Sequence, residues 1–346
     1  LPGGSLLYTE RCKGLSVLSP DGNTVRLFGT TGSSLVAEDL HCEGQSGMNG
    51  VTLDPDFKDN RLLYVFMTSN SQGRIANHVV RLTISEDNGT ASYRSDIVED
   101  IPFKEKANAH GKAGSHSGGR LRFGPDGYLY VTTGDNHNGT IPQDLHSLGG
   151  KVLRITRDGK PAQGNSTPDD GDKRIFTFGH RNPQGLAFHP TTGQAYTAEH
   201  GPRHTDEITA LVAGRNGGWD PKPEPGVKCD DNYCGYGSNK LDGTPTPMSD
   251  AGKFPNVMAP LWNNNGKSEG MGPAEFLKGP QWKKWNGSLM VGMMGNHRTD
   301  VLNLNADGTL NSVDRADLPQ QRVRSIRQSL EGNLLILTDE GELWKV

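Results

Sequence analysis

The residues most able to do chemistry in this chain stand at the ends of apolar hairpins. His116 precedes the stretch Arg120–Phe123, the turn Pro125–Gly127 reverses the chain, and Tyr128–Thr132 leads back to Asp135. His116 and Asp135 therefore share one end of a hairpin, where a carboxylate would fix the imidazole tautomer and raise its basicity, as a general base requires. A histidine satisfied locally within its loop is the competing reading. By the same geometry Arg181 and Asn182, ahead of Leu186–Phe188, come beside Glu199–Pro202, which follow Gln194–Ala198. Gln45 leads into another hairpin and Asn70 leads out of it, while Arg322 and Arg324 precede Ile326 in the last. Polar residues of unusual type thus collect at one end of each hairpin.

Other spacings carry less. His200 and His204 have the i, i+4 spacing of helical zinc ligands, but the intervening Gly201-Pro202 breaks any helix. DPDFKDN at 54–60 lacks the glycine and glutamate of a calcium-binding loop and reads as a turn. No second close pair joins Cys229 and Cys234 in a zinc pattern, and the cysteines are expected to form Cys12–Cys42 and Cys229–Cys234 disulfides.

The elements that must position these groups are short strands. An apolar strand, a Pro/Asp/Gly turn and a second apolar strand recur as LSVLSPDGNTVRLF, GVTLDPDFKDNRLLYVFMT, GRLRFGPDGYLYVTTGD, GLAFHPTTGQAYTAEHG, NGSLMVGMMGNHRTDVLNLNADGTL and SIRQSLEGNLLILTDEGELWKV. Six copies of about 58 residues predict an all-β, six-bladed β-propeller in which residues 1–346 form one domain. Ringed about an axis, the polar hairpin ends would make one face with a central cavity. The Gly/Pro/Asn-rich stretch from Gly214 to Gly272 would then be insertions over one face. A two-layer sandwich also uses short strands, but the repeat here continues to the last residue. The 46 glycines and 21 prolines argue against a helical bundle.

Lys+Arg 36 against Asp+Glu 40, well mixed, give a net charge of −4 and no basic field for nucleic acid. The longest apolar run, Leu62 to Met67, is far short of a membrane span, and no signal-peptide pattern opens the chain, which reads as soluble and already processed. Four cysteines and four Asn-X-Ser/Thr sites, at Asn88, Asn138, Asn165 and Asn286, predict a secreted, extracellular eukaryotic glycoprotein.

The segments HSGGRLRFGPDGYLYVTTGD, GHRNPQGLAF and AEHGPRHTDEI, with the distant QRVRSI and LTDEGELW, resemble the soluble quinoprotein glucose/aldose sugar dehydrogenases. That family comprises six-bladed propellers that bind pyrroloquinoline quinone (PQQ) and Ca²⁺. The sequons make the chain look closest to the secreted fungal PQQ-dependent pyranose dehydrogenases. The resemblance implies that His116 takes the proton of the sugar's anomeric hydroxyl, with Asp135 as its partner, while hydride passes to the quinone. It implies PQQ contacts at Arg181 and Asn182, calcium-binding carbonyls at Gly201 and Pro202, and cofactor carboxylates on Arg322 and Arg324. Gln45 would reach the sugar and Asp206 would line the same face. Two places depart from the pattern. Near MMGNHRTD this chain offers His297 and Arg298 where the family has a cofactor-binding lysine, and Trp219 and Trp262 are the substitutes for an aromatic loop that stacks on sugar.

The chain carries no CxxCH haem motif, iron–sulfur cysteine set or dinucleotide fingerprint. Electrons are therefore expected to leave to an external cytochrome, separate or joined to the same polypeptide as a haem b domain, or to a small quinone. Two rival functions on the same fold are a non-enzymatic extracellular binding module and a calcium-dependent lactonase, which would hold its metal with side-chain carboxylates and amides.

Overall fold

The computed structural model describes residues 1–109 and 111–346. Its strands form six small sheets. The first joins β1 (Leu6–Glu10), β2 (Gly14–Leu18), β3 (Thr24–Gly29) and β4 (Leu35–Val36); the second joins β5 (Met48–Leu53), β6 (Leu62–Ser71), β7 (Arg74–Ile84) and β8 (Ala91–Ile101). The third holds β9 (Leu121–Phe123), β10 (Leu129–Thr132), β11 (Lys151–Ile155) and β12 (Ile175–Phe178), and the fourth β13 (Pro183–Phe188), β14 (Ala195–Glu199), β15 (Glu207–Ala210) and β16 (Trp262–Asn263). The fifth holds β17 (Met271–Phe276), β18 (Leu289–Met293), β19 (Arg298–Leu304) and β20 (Leu310–Arg315), and the sixth β21 (Val323–Gln328), β22 (Leu334–Thr338) and β23 (Leu343–Lys345). Neighbours pair antiparallel in chain order except β3 with β4, which is parallel. The first strand of each sheet packs on the first strand of the next, from β1 to β21, so the sheets are the blades of a six-bladed propeller.

Side chains between blades make the core. Leu15, Val17 and Leu27 of the first blade meet Leu63, Val65 and Met67 of the second; equivalent clusters fill the later blade interfaces. A blade is covered on both faces, which is why β6 reads as a continuous apolar run rather than an alternation. Both expected disulfides are formed, each with Cα atoms 5.3 Å apart. The repeat is present with its phase shifted in two copies. In blades two, three and four the sequence unit is the inner hairpin, but LSVLSPDGNTVRLF is β2–β3, and NGSLMVGMMGNHRTDVLNLNADGTL begins at β18. The inner strand of the fifth blade, β17, is MGPAEF, at the edge of the Gly/Pro/Asn-rich stretch.

Cys12–Cys42 ties the turn after β1 to the loop entering β5 across 30 residues. Replacing both cysteines by serine is expected to lower stability by about 3–4 kcal/mol, measured by urea unfolding of wild type and variant under oxidising conditions.

Candidate active site

The β9–β10 hairpin does bring His116 and Asp135 to one end. The chain can close there because Gly134 lacks a side chain: a Cβ on it would lie 2.0 Å from the His116 carbonyl oxygen. His116 itself is held at φ 54°, a left-handed conformation that a non-glycine residue adopts only under constraint, and Asn136 and His137 follow at 53° and 52°.

Asp135 is fully buried, and three donors converge on its carboxylate. His116 Nδ1 lies 2.6 Å from Oδ1, the His137 backbone N–H donates to Oδ1 at 2.9 Å, and Trp219 Nε1 donates to Oδ2 at 2.7 Å. With the carboxylate accepting from Nδ1–H, His116 Nε2 keeps a bare lone pair. Burial, aided by the Arg181 charge, holds the His116 imidazolium far below its ordinary range; burial likewise pushes Asp135 up. His116 is therefore neutral, but the same burial opposes charging the ring, against the raised basicity expected from its carboxylate partner.

A residue that the sequence reading did not single out faces that lone pair. His137 Nε2 is 2.9 Å from His116 Nε2, so His137 Nε2–H donates to that nitrogen, and its own buried Nδ1 has no partner among the described residues. Burial and the neighbouring His116 push the His137 pKa down to about 2. The Tyr236 hydroxyl lies 3.4 Å from the same His137 nitrogen and accepts from Arg181 Nη2 at 2.7 Å. His137 belongs to the motif TTGDNHNG, two positions beyond Asp135, and that proximity was the only signal available.

Arg181 is buried, with Nη1 donating to the His200 carbonyl at 2.8 Å. Asn182 Oδ1 accepts from the Gly118 N–H at 3.2 Å, next to the His116 turn. Both are anchored from behind by Glu199, whose carboxylate accepts the backbone N–H of Arg181 and of Asn182 and lies 2.9 Å from His180 Nδ1. Gln45, though exposed, reaches in so that its Oε1 accepts the His116 N–H at 3.0 Å. Arg322 and Arg324 sit at the rim, 40% exposed, and share one carboxylate, Asp339, at 2.9 Å and 2.6 Å.

The turn after β14 doubles back so closely that a Cβ on Gly201 would meet the His204 carbonyl oxygen at 2.0 Å. Asp206 staples this turn, accepting from Gly201 N–H at 2.8 Å, Ser268 Oγ at 2.6 Å and Glu269 N–H at 2.7 Å. The carbonyls of Gly201 and Pro202 accept no hydrogen bond from the described residues although both residues are buried. Two adjacent carbonyl oxygens left open in this way suit a hard cation.

Comparison with known proteins bears on this arrangement. The family model described as Glucose / Sorbosone dehydrogenase matches residues 1–345. The chain belongs to that family. It is 29% identical over 351 residues to the aldose sugar dehydrogenase YliI of Escherichia coli, covering 100% of this chain and 85% of that protein. It is 30% identical over 261 residues to quinoprotein glucose dehydrogenase B of Acinetobacter calcoaceticus, covering 67% of this chain and 51% of that one. A solved glucose dehydrogenase superposes with a TM-score of 0.81 at 28% identity, over 100% of this chain and 94% of its own. The pyranose dehydrogenase PQQ domain of Coprinopsis cinerea aligns over 98% of this chain and 89% of its own with a TM-score of 0.62 at 13% identity, a likeness of fold.

Within this family member four expected placements change. Trp219 is fully buried and holds Asp135, so it is no platform for a sugar. Trp262 lies on β16, the outer edge of the fourth blade, packed among Tyr196 and Ile208. Asp206 faces backbone N–H groups and the Ser268 hydroxyl rather than the open face. Arg298 is engaged by Glu269 at 2.8 Å and Asp300 at 2.9 Å, which leaves it little charge to offer a cofactor, while His297 stands exposed in the turn whose Met294 carbonyl accepts from Arg322. Of the four sequons, Asn165 is buried, and its Nδ2 donates to the carbonyls of Arg154 and Lys173 at 2.8 Å each, so this fold leaves no place for a glycan there.

Glu207 on β15 lies opposite Glu199 in the sheet, with Ser249 Oγ donating to it at 2.8 Å. Burial, outweighing the Ser249 hydrogen bond, pushes its pKa up from 4.5 to about 8. A raised carboxyl pKa leaves stability intact below the unfolded value and removes it as pH rises towards the folded one. Glu207→Gln is therefore expected to match wild type at pH 4 and to be more stable by roughly 1–3 kcal/mol at pH 8, read from urea midpoints at the two values.

Proposed function

We propose that this chain is a PQQ- and Ca²⁺-dependent aldose dehydrogenase, with residues 1–346 as one catalytic domain, acting on the anomeric hydroxyl of a pyranose. The observation that carries the reading is the buried Asp135–His116 pair with its bare Nε2, set beside Arg181 on the face where Arg322 and Arg324 open. Bound PQQ would supply a two-electron acceptor, and Ca²⁺ the charge that polarises it.

The protein's own part is acid–base chemistry and positioning. The sugar hydroxyl takes the place of His137 at His116 Nε2, and its proton moves to that nitrogen as the C1 hydride leaves. Asp135 stabilises the imidazolium formed, and Trp219 and the His137 N–H keep the carboxylate from turning away. Gln45, already on the His116 backbone, is placed to meet the sugar. Arg322 and Arg324 carry two positive charges against the single carboxylate of Asp339, a surplus that suits the carboxylates of a planar acid. Asn182 and Arg181 would hold the same group, and the open Gly201 and Pro202 carbonyls the metal. Electrons are passed to an external cytochrome or a small quinone. Secretion is supported by the two disulfides.

Reconstitution with PQQ and Ca²⁺ should give sugar-dependent dye reduction that chelation abolishes; activity surviving exhaustive chelation contradicts the metal assignment. His116→Ala should lower kcat at least about 10²-fold with PQQ affinity little changed. Because the folded-state pKa of His116 is lowered, the acid limb of kcat/KM should fall below the ordinary imidazole value of 6.5, and a limb at or above 6.5 contradicts the assignment. Arg322→Ala and Arg324→Ala should instead weaken PQQ binding, each by on the order of 2–5 kcal/mol where the bound cofactor desolvates the charge pair, as measured by fluorescence quenching.

A further inference from the structure

The inner strands surround an axial channel, and arginines cross it. Arg120, just ahead of β9 in the third blade, donates through Nη2 to the carbonyl of Arg324 in the sixth, the blade directly opposite, and through Nε to the Gln184 carbonyl at 2.6 Å. Arg327 of β21 approaches from the other side, with Nη2 3.5 Å from the Leu121 carbonyl. Arg122 forks onto Glu275 of β17 and donates to the Ala274 carbonyl at 3.1 Å.

The charges do not balance. Arg122 uses both oxygens of Glu275, Arg327 Nη1 comes only to 3.7 Å from that carboxylate, and Arg120 meets neutral carbonyls alone. Three guanidiniums thus share one carboxylate, and a guanidinium does not shed its proton to relieve the repulsion. Arg120 Nη1 and Arg327 Nε have no acceptor among the described residues, and neither is sealed in protein: the Arg327 side chain, inside the ring, is 39% exposed. N–H donors with surplus positive charge therefore face open space from opposite walls.

We propose that the axial channel binds a small monovalent inorganic anion, with chloride as the type, between Arg120 and Arg327. The anion supplies the missing negative charge and accepts the spare N–H groups. Through Arg120 it also steadies the Arg324 carbonyl, one layer below the rim. The site is independent of the catalytic reading.

The test uses the whole protein without cofactor. Sodium gluconate is replaced by sodium chloride at constant ionic strength while Tm is followed. The expected result is a rise that begins near the Kd and then grows with the logarithm of chloride concentration, reaching about 4 °C when chloride exceeds its Kd 100-fold. Arg327→Gln should lose that rise yet melt no lower than wild type in gluconate, since a repelling charge has gone. Bromide-soaked crystals of the wild type, which need no variant, should show an anomalous peak between Arg120 and Arg327. Equal Tm in the two salts, a chloride effect retained in Arg327→Gln, or a channel without bromide would each overturn the proposal.

Discussion

The carboxylate of Asp135 is the point on which this site turns. An ionised group with no exposure to water is costly unless every lone pair is used, and removal of one partner leaves the penalty uncompensated. Here the donors come from three directions: the His116 loop ahead of β9, the backbone just beyond Asp135, and Trp219 in the long insertion after β15. The tautomer of His116, the left-handed turn at His137 and the burial of Trp219 all follow from satisfying that one group. An insertion of irregular sequence is thereby locked onto the propeller at the Asp135–His116 pair.

The same insertion closes the face. Its Cys229–Cys234 loop presents Asp230 and Asp231, which accept from the Ala109 N–H at 3.0 Å and Asn108 Nδ2 at 3.3 Å on the loop preceding His116. Tyr236 then reaches down to Arg181. The base consequently lies beneath a clasp of two loops, while Arg322 and Arg324 remain open at the rim. Water is kept from the imidazole and admitted where a charged cofactor edge would sit, a division that favours a neutral base and a cationic binding rim at the same pH.

Much of this was legible in the residues because hairpins obey simple geometry. Pairing of successive strands across a short Pro- and Gly-containing turn puts His116 with Asp135 and Arg181 with Glu199, whatever the loops do. The phase of the repeat was less legible, because in the first and fifth blades the strongest apolar pattern belongs to the middle strands, buried on both sides, while β17 contains Gly272 and Pro273 and lacks the signature. Loop contacts were not legible at all. Trp219 is as hydrophobic as any sugar platform, and only the position of Asp135 decides that its N–H points inward. Arg298 and Asp206 carry the right charge for a ligand, but each is consumed by neighbours both near and distant in sequence, Asp300 and Glu269 for the arginine, Gly201, Ser268 and Glu269 for the aspartate. His137 went unremarked because nothing local distinguishes a histidine that donates to the base from one satisfied in its own turn. Asn165 shows the same limit for modification sites: a sequon is three residues long, and its burial depends on Arg154 and Lys173.

The central claim is that Asp135 holds His116 as a neutral, Nδ1-protonated base. Nitrogen-15 histidine spectra of the cofactor-free protein between pH 5 and 8 test it directly. The expected spectrum has a His116 ring with Nδ1 protonated and Nε2 bare, a downfield Nδ1–H resonance that is lost or strongly shifted in Asp135→Asn, and no titration across that range. A His116 signal that titrates near 6.5, or that carries its proton on Nε2, would contradict it.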